Sequence, residues 1–158
     1  MATGIFLVVF RGDPVDWAMY RHTALHIHYA DGEDTIMHVT GAHPFFEYTP
    51  MNNHPRDLNL TIVASILVST IPDYVNRSMI QSACAATPVR NDPRHRDWNC
   101  QNWVGEALTR LVAIGCVTET ERSDGSLRWW MRAWKLKMNT RICKYCHYIA
   151  DPLLYSCA

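Results

Sequence analysis

The fold of this chain is decided by the stretch Asp97-Trp98-Asn99-Cys100-Gln101-Asn102-Trp103-Val104-Gly105-Glu106-Ala107-Leu108. Its pattern is that of an amphipathic helix with a cysteine in the first turn. Asn99 is a suitable N-cap, because its side-chain oxygen can accept a hydrogen bond from a free amide of that turn. Apolar residues then recur at helical spacing on one face, and Gly115 supplies the end. The apolar residues of this face are Trp103, Ala107, Leu108, Leu111 and Val112.

The position of Cys100 at the start of this helix bears on its chemistry. A thiol there faces unpaired backbone N–H groups and the positive end of the helix dipole, and both favour the thiolate. Because a thiolate attacks carbonyl carbon, Cys100 is a candidate nucleophile. The alternative is that Cys100 is a small buried residue, as most free cysteines are.

Length and composition predict one compact domain over residues 1–158, in the cytosol. The chain is 48% apolar, and its basic and acidic residues balance at fifteen each. No apolar run is long enough to span a bilayer, and the N-terminus lacks the basic residues and cleavage site of a signal peptide. Six cysteines without a secretory signal favour reduced thiols over a disulfide framework.

Upstream of the cysteine helix, the apolar pattern is mostly that of strands. Five segments have it: residues 4–10, 23–29, 35–40, 45–48 and 58–68. A hairpin turn is predicted at 31–34. Pro72 then opens a helix to about Ala86, with Val75, Met79 and Ala83 facing inward. Strands that precede helices predict an α+β fold with helices packed on an antiparallel sheet.

Two histidines on neighbouring strands complete a candidate catalytic group. His22 lies where the second strand begins, and His38 lies on the strand that returns from the hairpin. Adjacent antiparallel strands can bring such side chains together. With Cys100 they supply a nucleophile, a general base and a residue that orients the base.

Three motifs in this order resemble the NlpC/P60-like thiol enzymes with permuted papain order. They are Tyr20-x-His22-x-Ala24-Leu25, His38-Val39 and Asn99-Cys100-x-x-Trp103-Val104. Within these enzymes the chain is most similar to the lecithin:retinol acyltransferase and HRAS-like suppressor group, which reads Y-x-H-W-A-L, a second histidine on a strand, and N-C-E-H-F-V. The resemblance covers about residues 5–115, and residues 116–158 form a helical extension outside it.

The resemblance implies a permuted papain-like fold with Cys100 as nucleophile, His22 as general base and His38 as the orienting residue. Tyr20 and the backbone N–H of Cys100 would stabilise the oxyanion, and the neighbouring amides Asn99 and Asn102 would support the site. The chain departs from the group at Thr23, where the group has tryptophan, and at Asn102, where it has histidine. These departures, and the absence of a hydrophobic C-terminal anchor, bear on a lipid substrate more than on the thiol chemistry.

The function expected from these residues is acyl transfer through a thioester on Cys100, with no cofactor. The enzyme would be a hydrolase if water is the acceptor and an acyltransferase if an amine or alcohol is. Its substrate would be a small-molecule or carrier-bound acyl group. Two alternatives remain open: a non-catalytic binding or scaffold module with a vestigial Cys–His pair, and a permuted cysteine isopeptidase.

Other histidines and cysteines have simpler interpretations. His26 and His28 share a strand face and could bind a metal at this spacing, but a polar sheet face is the favoured reading. Loop histidines are expected to be solvated, and these are His43, His54 and His95. Cys84 and Cys116 fall among apolar helix residues and are expected in the core. A zinc site in the C-terminal tail is a weaker alternative to no metal, and its ligands would be Cys143, Cys146, His147 and Cys157.

A basic, tryptophan-rich helix is predicted over about residues 126–139. Its core-facing stripe would comprise Leu127, Trp130, Met131, Trp134 and Met138. The opposite side carries Arg128, Arg132 and Lys135, which could contact an anionic partner. Burial of the apolar stripe is the favoured role of this helix.

Overall fold

The computed structural model describes residues 2–12, 15–17, 21–52, 62–71 and 74–135, with side chains to residue 129. The strands are β1 (Gly4–Phe10), β2 (Thr23–His28), β3 (Asp34–Met37), β4 (Val39–Thr40), β5 (Glu47–Tyr48), β6 (Met51–Asn52) and β7 (Ile62–Thr70). The helices are α1 (Arg77–Ala85), α2 (Cys100–Ala113) and α3 (Glu119–Lys135), with a short 3₁₀ turn at Pro93–His95.

Five strands form one antiparallel sheet in the order β6-β3-β2-β1-β7. β1 lies between β2 and β7 and is apolar along its whole length because both of its faces are buried. Ile5, Leu7 and Val9 face the helices, whereas Val8 and Phe10 join a smaller apolar cluster on the other face. The predicted α+β class with helices on an antiparallel sheet is confirmed.

Helix α2 supplies the centre of the core and begins as the sequence predicts. Asn99 is its N-cap, and the side chains of Asn99 and Asn102 form a reciprocal capping box with each other's backbone N–H groups. Gly115, in the left-handed region at φ +71°, follows the last turn. The buried face comprises Trp103, Val104, Ala107, Leu108 and Leu111. Trp103 is fully buried, so its truncation would cost roughly 3–5 kcal/mol.

The sheet splits at His38, beside the beginning of β2. β3 pairs with β2 as far as Met37, which lies opposite Leu25. The pairing with β2 does not continue into β4, which on its other edge pairs with β5 in a separate two-stranded ladder, with Val39 opposite Tyr48. The strand predicted over residues 45–48 therefore lies in this two-stranded ladder and not in the main sheet. This split creates the opening in which the candidate site lies.

The C-terminal helix differs from its prediction in start and orientation. α3 begins at Glu119, not near 126, and packs on β7. Leu127 is 59% exposed, so its placement in a core stripe is wrong. Gly125 is buried against Val68, and Trp129 packs on the main core instead. The side chains of Trp130, Met131 and Trp134, and the whole of Met138, lie outside the described part.

Helix α1 is also displaced from its prediction. It begins at Arg77 after the N-cap Asn76, whose side chain accepts from Met79 N at 3.0 Å. Its buried residues are Ile80 and Cys84, whereas Met79, expected inward, is 37% exposed. Val75 is buried and Ala83 packs against the core, as predicted, so Met79 is the residue that departs from the expected inward face.

Candidate active site

The three residues predicted to act together line one cavity of about 700 Å³. Cys100 reaches it from the first turn of α2, His22 from the residue before β2, and His38 from the junction of β3 and β4. The other lining residues are Arg21, Val39, Thr40, Gly41, Ala42, His43, Phe46, Arg96, Asp97, Trp98, Asn99 and Gln101. The fold thus brings together side chains that are 78 residues apart in sequence, from His22 to Cys100.

His22 and His38 are hydrogen-bonded to each other across the split in the sheet. His22 Nε2 and His38 Nδ1 are 2.7 Å apart, and the rings meet edge to face with centroids 4.9 Å apart. Both rings are largely buried, so this bond holds the His22 ring in a fixed orientation. The prediction that strand pairing would bring these two residues into contact is confirmed.

The hydrogen bond between the two histidines can form with the shared proton on either ring. Burial lowers the pKa of His38, and a backbone group of Thr49 opposes that shift. His38 Nε2 has no hydrogen-bond partner within the described part. When the shared proton is on His22 Nε2 and is donated to His38 Nδ1, His22 Nδ1 is unprotonated and able to act as a base.

His22 is neutral over the whole physiological range. Burial, reinforced by the neighbouring His38, lowers the pKa of His22 to about 4. The charged imidazolium would lose its hydration in this position without gaining an anionic partner. Near pH 7 the site therefore contains a neutral imidazole.

The state of Cys100 differs from the prediction made from its helix position. Burial raises the pKa of its thiol, although backbone N–H groups of Thr23, Cys100 and Gln101 act in the opposite direction. The helix start therefore lowers the pKa of Cys100, as expected, but desolvation raises this pKa by a larger amount. The expectation of a resting thiolate is wrong. Within the described part, neither histidine donates to or accepts from the sulfur.

Asn99 and Asn102 have structural roles in the first turn of α2. Asn99 Oδ1 accepts from Gln101 N at 2.8 Å, and Asn102 Oδ1 accepts from Asn99 N at 3.0 Å. Both amides therefore hold the helix start that carries Cys100, which fits the supporting role predicted for them. Tyr20, predicted to help bind the oxyanion, lies outside the described residues.

Two loops line the cavity and are hydrogen-bonded to each other. The side chain of Asn91 accepts from Phe46 N and donates to Phe46 O, both at 2.9 Å. His43 Nε2 donates to the carbonyl of Asp92 at 3.2 Å, so the expectation of a solvated His43 is wrong. Phe46 and Trp98 meet edge to face with centroids 5.3 Å apart and give the cavity an apolar wall.

Sequence reasoning also missed Arg21. This side chain is nearly buried, and its Nε and Nη2 donate to the two carboxylate oxygens of Asp16 at 2.7 Å. The pairing lowers the pKa of Asp16 to about 2. A buried arginine beside His22 could have been suspected from its position next to the motif histidine, but its partner five residues away follows no regular period.

The positions of several residues outside the cavity test other predictions made from the sequence. His26 and His28 share a strand face and both bond to Asp34 Oδ1, at 2.9 and 2.7 Å. Within the described part, no group of three or more His, Cys, Asp or Glu side chains could hold a metal ion. His95 is half-buried and pairs with Asp92, contrary to the expected solvation. His54 and the proposed zinc ligands Cys143, Cys146, His147 and Cys157 lie outside the described residues.

The remaining predictions concern core cysteines and the basic helix. Cys84 and Cys116 are buried, as predicted, and burial raises the pKa of each thiol. Arg128 donates to the backbone carbonyl of Leu67 at 2.9 Å, which engages the guanidinium expected to bind an anionic partner. The side chains of Arg132 and Lys135 are not among those described. No described helix is both long and apolar enough to cross a membrane.

Comparison with known proteins identifies a family but no characterised relative. No curated protein and no solved structure matches the chain. A model of a family of unknown function, DUF6540, matches residues 5–118, which include the described strands except Gly4 at the start of β1, and also α1, α2 and the whole cavity lining. Since this match covers more than two thirds of the 158 residues, the chain belongs to the DUF6540 family.

Proposed function

We propose that the protein catalyses acyl transfer through a thioester on Cys100. The observation that carries this proposal is the convergence of Cys100, His22 and His38 on one cavity, with His22 tied through Nε2 to His38. With the shared proton on His22 Nε2, His22 Nδ1 is the free base of the pair. It contains the three parts of a thiol acyl-transfer site: a nucleophile, a base and a residue that orients the base.

The neutral resting state implies that proton transfer accompanies attack. As Cys100 Sγ forms a bond to the substrate carbonyl carbon, His22 Nδ1 takes the thiol proton and the carbonyl electron pair moves to oxygen. His38 stabilises the imidazolium by accepting from His22 Nε2–H. Collapse of the tetrahedral adduct breaks the bond to the leaving group, which takes the proton from His22 Nδ1–H. Water, an alcohol or an amine then attacks the thioester by the same steps in reverse.

The proposed fold relationship is to permuted papain-like enzymes of the lecithin:retinol acyltransferase type. Its support is the chain order, in which a histidine beside a sheet strand precedes a cysteine at a helix N-terminus. The helix α2 packs on β2, the strand that follows His22. This order is the reverse of that in papain and agrees with the motif resemblance.

The cavity suits a small-molecule or carrier-bound acyl substrate. Its volume of about 700 Å³ lies within the range of roughly 300–1,000 Å³ found for small-molecule sites. Val39, Phe46 and Trp98 offer an apolar wall for an acyl group, whereas the charged Arg96 and Asp97 lie on exposed backbone near the opening. We place the acyl portion against the aromatic wall.

Intact-protein mass spectrometry tests the reaction directly. The protein is incubated with acyl thioesters, activated esters and isopeptides, and the acyl adduct is located by peptide mapping. We expect an adduct on Cys100 and its loss in Cys100→Ser, while Cys84→Ala, which alters a buried cysteine outside the cavity, keeps it. Turnover at the wild-type rate in Cys100→Ser would exclude the thioester mechanism. A preference for isopeptides would favour the isopeptidase alternative.

The non-catalytic alternative also has an observation in its favour. Burial raises the pKa of Cys100, and neither ring hydrogen-bonds to its sulfur within the described part. A vestigial pair predicts ligand binding that is unchanged in Cys100→Ala and no adduct with any acyl donor. The same mass-spectrometry panel, combined with calorimetric binding, separates the two functions.

A further inference from the structure

The main-chain N–H of Thr23 points away from its neighbour β1. Phe10 N donates to His22 O at 2.8 Å, so Phe10 and His22 are a hydrogen-bonded pair of the β1–β2 ladder. Such pairs alternate with non-hydrogen-bonded pairs in an antiparallel ladder. Thr23, opposite Val9, belongs to the second kind. Its N–H and C=O are therefore directed toward the other side of β2, where β3 runs.

On that side the strand partner of Thr23 is missing because the sheet splits. The β2–β3 register ends with Leu25 opposite Met37, and its continuation would place Val39 opposite Thr23. The β2–β3 register does not extend to Val39, which pairs with Tyr48 on the edge of β4 that faces away from β2. Among the described residues, the Thr23 N–H has no ladder partner, although the residue is 1% exposed and cannot be solvated freely.

The thiol of Cys100 enters the cavity close to this N–H. Helix α2 packs on β2, and Cys100 lines the cavity together with His22, the residue before Thr23. The backbone N–H of Thr23 lowers the pKa of Cys100, and it is the largest of the three backbone contributions that do so. The split in the sheet thus turns a strand N–H into a donor at the reacting sulfur.

We infer that the main-chain N–H of Thr23 is a hydrogen-bond donor for the negative charge that forms on Cys100 during reaction. The inference rests on the proposed function, in which that charge forms as the thiol proton leaves. His22 is neutral at rest, so it adds no positive charge beside the sulfur before the thiol proton moves. A fixed backbone donor supplies this stabilisation without reorganisation, and hydrogen bonds to an anion are stronger than those between neutral groups. Because the donor belongs to the main chain, the side chain at position 23 is free to differ.

A backbone substitution tests this role. Thr23→Val keeps the shape of the side chain and removes a buried hydroxyl that has no partner in the described part. Replacing that valine by its α-hydroxy acid converts the amide to an ester, which removes the N–H and also weakens the His22 carbonyl as acceptor of the bond from Phe10 N. Compared with Thr23→Val, we expect the ester protein to be alkylated at Cys100 by iodoacetamide about 10- to 100-fold more slowly at pH 8, as loss of a hydrogen bond to a charged group implies.

Two controls make the outcome decisive. An ester at Ala24, whose N–H belongs to a hydrogen-bonded pair with Val8, should lower the melting temperature and leave the alkylation rate unchanged. In full-length ¹⁵N-labelled protein, the Thr23 amide signal should shift as the Cys100 thiol titrates, and not in Cys100→Ser. An unchanged alkylation rate in the Thr23 ester, or a Thr23 amide signal that does not titrate, overturns the inference. Alkylation needs no acyl substrate, so this result is independent of whether the proposed acyl transfer occurs.

Discussion

Asn91 binds both main-chain groups of Phe46, with the amide nitrogen donating to the carbonyl and the amide oxygen accepting from the N–H, each at 2.9 Å. One side chain therefore replaces a strand neighbour and fixes a cavity wall. In Asn91→Ala both bonds are lost, and we expect the free energy of unfolding to fall by about 1–3 kcal/mol. The wall that holds Phe46 and His43 should loosen, so KM should rise more than kcat falls.

Denaturant unfolding and steady-state kinetics with an identified substrate check this prediction. Asn91→Asp keeps the acceptor and loses the donor, so its free energy of unfolding should lie between those of wild type and Asn91→Ala. If the new carboxylate is not solvated, the free energy of unfolding of this variant should fall below both. Arg94→Ala is the matched control, because that side chain is 87% exposed and lies on the same loop. Wild-type stability in Asn91→Ala would contradict the structural role assigned here.

The low pKa of His22 sets the pH profile of the proposed reaction. Because burial and His38 lower that pKa to about 4, the base is already deprotonated at pH 5, and kcat/KM should be flat from about pH 5 to 8. In His38→Ala the acceptor that orients His22 through Nε2–H is lost, so kcat should fall, while burial, the main cause of the low pKa of His22, keeps the acid limb below pH 6.5. An acid limb near pH 6.5 in the wild-type protein would show that His22 is not buried as a neutral base.

Folding stability should depend on the same histidine. The pKa of His22 is about 4 in the folded state and about 6.5 in the unfolded chain, so between these values the unfolded state binds more protons. Stability is therefore complete above pH 6.5 and is lost as the pH falls toward 4, by up to about 3 kcal/mol. Urea unfolding at pH 7 and pH 4.5 measures the loss, and His22→Gln should reduce it. An equal loss in both proteins would assign the effect to other groups.

Local sequence patterns are sufficient to predict the helix and strand that carry the candidate site. The N-cap Asn99, the buried stripe that includes Trp103 and the alternation in β2 each follow from a few neighbouring residues. The start of α3 was also readable, since Thr118 and Glu121 form a capping box with Glu121 N donating to Thr118 Oγ1 at 3.2 Å. The prediction of a start near residue 126 follows the tryptophans further along the chain instead.

The walls and electrostatics of the cavity could not be predicted in this way. Asn91 and Phe46 are 45 residues apart and their contact follows no periodicity. The pKa of Cys100 depends on how deeply the helix start is buried, which is a property of packing and not of the helix itself. The sequence therefore predicts which residues meet more reliably than it predicts their charge state.

The docking of α3 on β7 depends on the absence of a side chain at Gly125. A Cβ there would lie 3.2 and 3.3 Å from the two methyl carbons of Val68, which is tighter than ordinary van der Waals contact. In Gly125→Ala the gain of about 1 kcal/mol in helix propensity opposes this crowding, so we expect a small net change. Gly125→Leu cannot be accommodated without moving the helix, and it should destabilise the protein by about 1–3 kcal/mol.

Leu127→Ala is the matched control on the same helix. Its side chain is 59% exposed, so the free energy of unfolding should change by no more than about 0.5 kcal/mol. Denaturant unfolding of the full chain, followed by tryptophan fluorescence, measures all three variants, because Trp129 packs on the core beside Gly125. If Leu127→Ala lowers the free energy of unfolding by more than Gly125→Leu does, then α3 presents to β7 the face predicted from its apolar stripe. The opposite order establishes Gly125 and Trp129 as the contact face, with Leu127 directed toward solvent.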